Sequence, residues 1–377
     1  MRYLLIYLTI YIFFGCSNVE KIEYDVKSIS FNCNSLVDTL KTSVFIEEAH
    51  VVPLETTEDC LIGSIRGIKI NDSFIFVSDG ISLYKFNSSG GYIAKISKCG
   101  MGPDEYVNIS SFDIDTIGNA YILSNNDRCI YKYDWEGRLL DKLEMDYFAW
   151  QISLDGRGEH LAYVGNDLSD KNRFKISRIN CRDKGFLKIN PALSKYLHLM
   201  SEVSVITSKN DSTIQFCEPF NDTVYTVTGN VISREYVCDY GGHNISNDVL
   251  NGEYDNIMTF NEYLKGKGFI HNIGIFLDSG NYFFNQFASD DGLFNAVYEM
   301  SNSKSYVSKI LCDDILFCGF VIDPQFVNNT HSFISVIEPI QLKEHLTKSH
   351  IKLDNNKLFP ETKGFDLNPI IYIAKLK

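Results

Sequence analysis

Two neighbouring carboxylates and one tryptophan are the residues of this chain best suited to bind a ligand. Asp104 and Glu105 lie in the loop sequence GMGPDEY at positions 100–106, where Pro103 restrains the backbone. A restrained loop could present both carboxylates to a ligand with little loss of conformational entropy on binding. Trp135 lies in a turn, where its ring could stack on a sugar or fill a protein pocket. The simpler alternative is structural: the loop links two repeats, and the tryptophan folds back on its own sheet.

Motifs for catalysis and for phosphate binding are missing from the sequence. It contains no G-x-x-x-x-G-K-[ST] loop, no G-x-S-x-G turn and no H-E-x-x-H motif, and its eight histidines are scattered singly. Asp113, Asp115 and Gly118 are spaced as in part of a calcium loop, but the other acidic positions and the closing glutamate are missing. This stretch therefore predicts a hairpin turn. The sequence identifies no catalytic residue and no metal ligand.

The composition is that of a folded, acidic protein. Hydrophobic residues make up 45% of the chain and charged residues 22%, enough apolar sequence for a large core. The formal net charge of −13 disfavours binding to nucleic acid or to an anionic lipid surface. The ten cysteines include no C-x-x-C pair and no metal-like spacing, so those after Cys16 are interpreted as small buried hydrophobes.

The N-terminus has the pattern of an export signal. Arg2 precedes a mostly apolar run of twelve residues, which is too short to span a bilayer because a helical span needs about 20 residues. The Gly15–Cys16 junction resembles the cleavage site of a bacterial lipoprotein precursor, whose cysteine becomes the lipidated first residue. We therefore expect a signal peptide at residues 1–15, lipidation at Cys16 and a tether over residues 16–27. The alternative is an ordinary secreted protein with a coincidental cysteine.

A sequence repeat of about 46 to 47 residues predicts the elements that position these features. The segments 74–78, 83–86 and 91–93 are followed by similar segments at 120–124, 130–133 and 137–139. Strands separated by tight turns form one antiparallel sheet, and a repeat of this length is typical of a propeller blade. The sequence therefore predicts an all-β fold.

The remaining strand-like runs predict a six-bladed β-propeller of four-stranded antiparallel blades over residues 28–377. The C-terminal run from Pro369 to Leu376 has nothing after it to pair with, and an unpaired edge favours aggregation. We therefore expect strands from both termini to close one blade, as propellers commonly do. Helical spacing of apolar residues at 247–265 and at 340–348 predicts one or two short helical inserts.

Three stretches carry a resemblance to a known family: VPLET at 52–56, GMGPDEY at 100–106 and EPFNDTVY at 218–225. With them the chain after Cys16 resembles the six-bladed β-propeller lipoproteins of Bacteroides and related gut bacteria, a family akin to NHL-repeat propellers. NHL-like repeats usually read G-x-G-P-G-E, so Asp104 stands where that pattern has a glycine and the turn is reshaped there. The resemblance implies the blades and the membrane anchor, but no reaction.

Two classes of function remain. The first is a membrane-anchored, non-catalytic binding or scaffold lipoprotein, which needs no cofactor and binds a glycan, a peptide or an envelope protein through Asp104, Glu105 and Trp135. The second, implied by enzymes on related propellers, is a lyase or lactone-type hydrolase with a divalent metal such as calcium in the central channel. The first is preferred because no acidic or histidine residue recurs at equivalent blade positions. For either class, we expect the protein to be located in the cell envelope, on the outer membrane and facing the periplasm or the cell surface. We expect no nucleic-acid partner.

Overall fold

β-Strands make up most of the structure, which is a computed structural model of the chain. The structure describes residues 22–23, 26–154, 160–169, 172–179, 185–197, 206–210, 213–328, 331–351, 358–361 and 366–377. The predicted signal peptide and Cys16 lie outside these residues. No helix within the described ranges is long and apolar enough to cross a membrane.

Six sheets, called blades 1 to 6, have the predicted order of four antiparallel strands. Blade 1 consists of β5 (Gly67–Ile70), β6 (Phe74–Ser78), β7 (Leu83–Asn87) and β8 (Tyr92–Ile96), and blade 2 of β9 (Ser111–Ile114), β10 (Ala120–Ser124), β11 (Cys129–Tyr133) and β12 (Leu139–Glu144). Blade 3 consists of β13 (Gln151–Leu154), β14 (His160–Tyr163), β15 (Phe174–Arg178) and β16 (Gly185–Lys188), and blade 4 of β17 (Ile206–Asn210), β18 (Thr213–Phe216), β19 (Thr223–Thr228) and β20 (Val231–Asp239). Blade 5 consists of β21 (His271–Asp278), β22 (Tyr282–Ser289), β23 (Gly292–Glu299) and β24 (Lys304–Ser308), and blade 6 of β27 (Phe326–Asn328), β28 (Ser332–Ile337), β29 (Ile370–Leu376) and β4 (Ile46–Pro53).

The predicted number of six blades is wrong, because the residues that the structure describes form seven. The seventh, here called the small blade, has three short strands: β3 (Leu40–Lys41), β25 (Leu311–Asp313) and β26 (Phe320–Val321). It packs beside β24 at the outer edge of blade 5. Strands of two or three residues show no alternation of polar and apolar residues, and β3 comes from a distant part of the chain, so the sequence repeat contained no signal for this blade.

The repeat that was visible in the sequence corresponds to strands two to four of blades 1 and 2. Gly90 and Gly137 occupy the same turn in the two blades, and both have a positive φ, of 86° and 75°. A Cβ on Gly90 would overlap Pro53 O of the preceding blade. Glycine is therefore required where the end of one outer strand packs against the turn of the next blade.

Strands from both ends of the chain close blade 6, as the sequence predicted. β29 pairs antiparallel with β28 on one side and with β4 on the other, in a register that places Ile370 opposite Pro53 and Leu376 opposite Ile46. Six of the seven side chains of β29 are buried. Phe45 and Phe333 belong to the same hydrophobic cluster as Tyr372 of β29, so the core of the protein continues on both sides of this strand. The last strand is therefore an internal strand of its sheet.

The N-terminal segment from Ile22 to Pro53, here called the N-terminal belt, crosses the outer edges of several blades. It begins with β1 (Ile22–Glu23) and β2 (Lys27–Ser30), which pair in parallel with β20 of blade 4. The belt then passes β24, where Val37 N donates a hydrogen bond to Val307 O (2.9 Å). It continues through β3, the 3-10 helix Thr42–Val44 and β4. The N-terminal region therefore covers exposed sheet edges in addition to closing the ring.

Four helices interrupt the described blades, more than the one or two predicted. They are α1 (Pro191–Ser194), α2 (Asn247–Leu250), α3 (Ile257–Leu264) and α4 (Pro339–Lys348). The predicted helix at 247–265 is two helices, because α2 ends at Leu250 and the Asn256 side chain caps a new helix through the N–H groups of Met258 and Thr259. The predicted helix at 340–348 corresponds to α4.

Ending the chain at Asn368 tests the closure. The truncation removes β29 with its six buried side chains, each contributing about 1.5 to 3 kcal/mol, against a total stability of about 5 to 15 kcal/mol for a typical domain. We expect no cooperative thermal transition by circular dichroism. As a control, Lys375→Ala in the same strand removes only an exposed ion pair with Glu47 (3.0 Å) and should change the stability by less than about 1 kcal/mol. A truncated chain that keeps the parent Tm would contradict the closure.

Candidate functional site

Glu105 holds the predicted ligand-binding loop in shape. Its backbone N–H donates to Gly102 O (3.2 Å), and its Oε2 accepts a hydrogen bond from Gly102 N (2.8 Å). A Cβ on Gly100 would overlap the same carboxylate oxygen, so a side chain at this position would displace the Glu105 carboxylate. The half-buried carboxylate of Glu105 is therefore directed into its own loop.

Asp104 differs from Glu105 because its side chain is exposed. Its backbone carbonyl accepts a hydrogen bond from Tyr133 Oη (2.7 Å), which attaches the loop to β11 of the next blade. Tyr106 is fully buried and donates its hydroxyl to Ile81 O (2.8 Å), which attaches the loop to blade 1. Met101 at the tip of the loop is 91% exposed. The loop is thus fixed at two tyrosines and presents Met101 and Asp104 to solvent.

Trp135 packs at the boundary between blades 1 and 2. Its Nε1 donates to Gly118 O (2.6 Å), and its ring stacks on Phe76 of blade 1 with the centroids 5.5 Å apart. Lys85 Nζ lies 5.2 Å from the centroid of the same ring. Trp135 is therefore half-buried with its polar N–H already bonded. Beside it, Ile117 in the same turn as Gly118 is 86% exposed.

The structure brings the predicted residues to one blade boundary. Tyr133 contacts Asp104, and Trp135 follows Tyr133 by two residues. Met101, Asp104, Ile117 and Trp135 are here called the loop–turn surface. The sequence identified Asp104 and Trp135 by residue type, but Met101 and Ile117 carried no signal because an isolated apolar residue in a turn is ordinary.

A buried ion pair joins blades 3 and 4. Lys175 Nζ on β15 contacts Glu218 Oε1, which follows β18, and the two residues are only 8% and 2% exposed. Asn221 Nδ2 donates to the same oxygen (3.2 Å), and Tyr163 Oη lies 3.4 Å from Glu218 Oε2. Burial, together with the Glu218 carboxylate, raises the pKa of Tyr163 well above its usual value. Tyr163 therefore remains a protonated donor beside the pair.

Two polar atoms close to this pair have no hydrogen-bond partner among the residues that the structure describes. They are Trp150 Nε1 and Asn166 Oδ1. A Cβ on Gly165 would lie 3.2 Å from Tyr163 Oη and 3.6 Å from Trp150 Cδ1, so the two rings flank this glycine. A buried polar group without a partner costs about 1 to 3 kcal/mol. Within the described part of blades 3 and 4, one donor and one acceptor thus lie unpaired near the buried ion pair.

Sequence reasoning missed this buried pair. Lys175 stands in a strand-like run, and Glu218 opens the stretch EPFNDTVY that was quoted only for its family resemblance. The two residues are 43 positions apart and meet because their blades are neighbours. A charged residue at a position where the strand pattern expects an apolar one was the available signal.

The described residues contain no group of three His, Cys, Asp or Glu side chains that could hold a metal ion. Eight described cysteines are unpaired, and five of them are buried: Cys60, Cys129, Cys217, Cys238 and Cys312. Burial raises the pKa of Cys238 to about 12, so this thiol is protonated at neutral pH. Cys99 and Cys318 are exposed, which differs from the buried positions expected for cysteines.

The chain matches a family profile along nearly its whole length. The profile is described as a domain of unknown function (DUF4934) and matches residues 26–375. No curated protein matches the chain.

Two solved structures show a similar fold. A Bacteroides fragilis protein that is inferred to be exported is 16% identical, with a TM-score of 0.70 over 93% of this chain and 99% of that one. A member of the DUF4221 family from Bacteroides vulgatus is 11% identical, with a TM-score of 0.50 over 88% of this chain and 97% of that one. At these identities the similarity shows the fold alone.

The buried ion pair can be tested by substitution. Lys175→Met leaves the Glu218 carboxylate buried without its cation and should lower the free energy of unfolding by about 3 to 5 kcal/mol. The double variant Lys175→Met, Glu218→Gln should recover part of this loss, as measured by the denaturant midpoint. As a control, Lys348→Met breaks an exposed pair with Glu344 (3.5 Å) and should cost less than about 1 kcal/mol. Equal losses for Lys175→Met and Lys348→Met would contradict a role for the buried pair.

Proposed function

We propose that this chain, which belongs to the DUF4934 family, is a non-catalytic binding protein held in the bacterial cell envelope by a lipid on Cys16. The observation that carries the proposal is the order of features at the N-terminus: Arg2, a short apolar run and Gly15–Cys16. Ile22, the first described residue that pairs in a sheet, follows the cysteine by six positions. A lipid on Cys16 would therefore hold the propeller close to a membrane.

The physical strength of such an anchor depends on the number of acyl chains. A single chain gives only marginal and reversible binding, whereas two or more chains hold a protein stably. The lipoproteins that the Gly15–Cys16 junction resembles carry several chains on this cysteine. Export also agrees with the description of the Bacteroides fragilis protein of similar fold as inferred to be exported.

The loop–turn surface is the proposed binding site. Tyr106 and Tyr133 fix the loop through hydrogen bonds to its ends, so little conformational entropy is lost when a partner binds. Exposed apolar side chains of Met101 and Ile117 supply contact area, and the Asp104 carboxylate supplies a charge. These are the components of a small protein-recognition surface.

A peptide or an envelope protein fits this surface better than a glycan. Sugars stack on an open aromatic face. Phe76 stacks on the ring of Trp135, and Lys85 Nζ lies near the same ring, so little of its face is free. The flexible methionine and the exposed isoleucine side chain suit a protein ligand, and Asp104 favours a basic group in it.

The anchor is tested by Cys16→Ser. Without the thiol no lipid can be attached, and we expect the membrane-bound fraction in cell fractionation to fall at least about tenfold. Cys99→Ser, which changes an exposed cysteine within the propeller, is the matched control and should leave the protein in the membrane fraction. A Cys16→Ser protein that stays in the membrane fraction at the parent level would show that the anchor is wrong.

The binding surface is tested with a partner captured from envelope extract by the parent protein. Asp104→Ala and Ile117→Ser should each weaken its affinity at least about fivefold, because both remove exposed contacts. The melting temperature should change little, since neither side chain is buried. Trp135→Phe retains an aromatic ring that can stack on Phe76 and should have the smaller effect.

The control for this test is Val321→Ser, which changes an exposed apolar residue on the small blade. It should leave the affinity unchanged. If both Asp104→Ala and Ile117→Ser bind the partner as the parent does, the loop–turn surface is not the binding site.

A further inference from the structure

We propose that the corner of blade 4 at Gly229 and Asn230, the turn between β19 and β20, faces the lipid surface, and that the helical insert α2–α3 points away from it. The proposal names the membrane-facing part of the propeller and rests on the lipid anchor at Cys16 proposed above. It follows from the path of the N-terminal belt and from the covalent reach of the chain before it.

The belt enters the fold at this corner. Ile22 is in register with Ile232, one residue beyond the start of β20, and Ser30 is in register with Asp239 at its end. Because this pairing is parallel, the residues nearest Cys16 lie at the turn that precedes β20. Six peptide units separate Cys16 from Ile22, and a fully extended chain of that length reaches about 20 Å. An acylated Cys16 therefore keeps this corner within about 20 Å of the bilayer surface.

The corner is held by its neighbours and is a defined feature of the surface. The guanidinium of Arg178, on β15 of blade 3, donates to Gly229 O and to Asn230 Oδ1, the second bond being 3.0 Å long. Arg178 is itself buried. Val231 beside the turn has an exposed side chain. The tether thus ends at a place whose position relative to the blades is fixed.

The opposite end of the same strand leads to the helical insert. β20 has nine residues, so its far end lies roughly 27 Å from the corner at the rise of a β-strand. There Phe31 N donates to Asp239 O (2.8 Å), and the Phe31 ring is stacked on Tyr240. The chain then continues into α2 and α3. The insert therefore lies at the end of β20 that is farthest from the tether.

Two large apolar side chains on the insert are exposed. Met258 on α3 is 70% exposed, and the Tyr263 ring is also exposed beneath Lys267 Nζ. The insert keeps its own small core, formed by Phe260 and Leu264 with Tyr196. The net charge of −13 does not favour attraction to anionic lipid, so the tether sets the orientation.

Energy transfer to labelled lipid measures this orientation. A fluorescent unnatural amino acid replaces either Val231 or Met258 in the mature acylated protein, which is reconstituted into phosphatidylcholine vesicles that carry a headgroup acceptor. Both side chains are exposed, so neither label disturbs the core. We expect the transfer efficiency from position 231 to exceed that from position 258 at least about twofold, given the difference of roughly 27 Å along β20.

A longer tether is the control. Inserting 20 Gly/Ser residues between Ser17 and Asn18 adds a root-mean-square length of about 25 Å and should abolish the difference between the two positions. Equal transfer from both positions with the native tether, or stronger transfer from position 258, would overturn the orientation. A difference that survives the longer tether would show that the tether does not set it. Protein that does not bind vesicles at all would overturn the anchor and the orientation together, which distinguishes this result from the others.

Discussion

The pairing of the last strand with the first part of the chain is the interaction on which the rest of the structure depends. β29 lies between β28 and β4, and without it blade 6 would expose two unpaired edges. The buried carboxylate of Asp313 reinforces this closure, because it accepts hydrogen bonds from Tyr372 Oη (2.9 Å) and Leu316 N (2.9 Å). The closing blade, the small blade and the N-terminal belt are therefore held as one unit.

The N-terminal belt contributes strands to two different blades. Its first strands pair with the outer edge of blade 4, and its last strand completes blade 6. The same segment of about 32 residues therefore supplies backbone hydrogen bonds to both sheets. The lipid proposed at Cys16 would be attached to the covered edge of blade 4 and not to the closing strand. A pull on the anchor thus acts first on β1 and β2, which are hydrogen-bonded along β20. The ring closure lies beyond them in the chain.

The parts of the fold that the sequence predicted are those with local, repeated patterns. Strands β6 and β7 recur as β10 and β11 because each is a run of alternating or apolar residues ended by a turn. The small blade could not be predicted, since Leu40 and Leu311 pair across most of the chain in strands too short to have a period. The pair of Lys175 and Glu218 was missed because the two residues are 43 positions apart and meet only where their blades pack together. Asp104 and Trp135 were recognisable by type, but that Glu105 bonds its own loop depends on backbone geometry, which no residue pattern encodes.

Hydrogen exchange of the full-length chain tests the closure most directly. If β29 and β4 are internal strands, the amides of Ile371, Tyr372 and Val52 exchange only when the whole propeller unfolds, at the same opening free energy as the amides of Ile122 and Tyr131 in blade 2. Mass spectrometry of peptic fragments resolves these segments. Closure by β29 predicts equal protection of the two regions. If the segment from Ile370 to Leu376 opens several kcal/mol more easily than β10 and β11 while those strands stay protected, the ring does not depend on the closing strand.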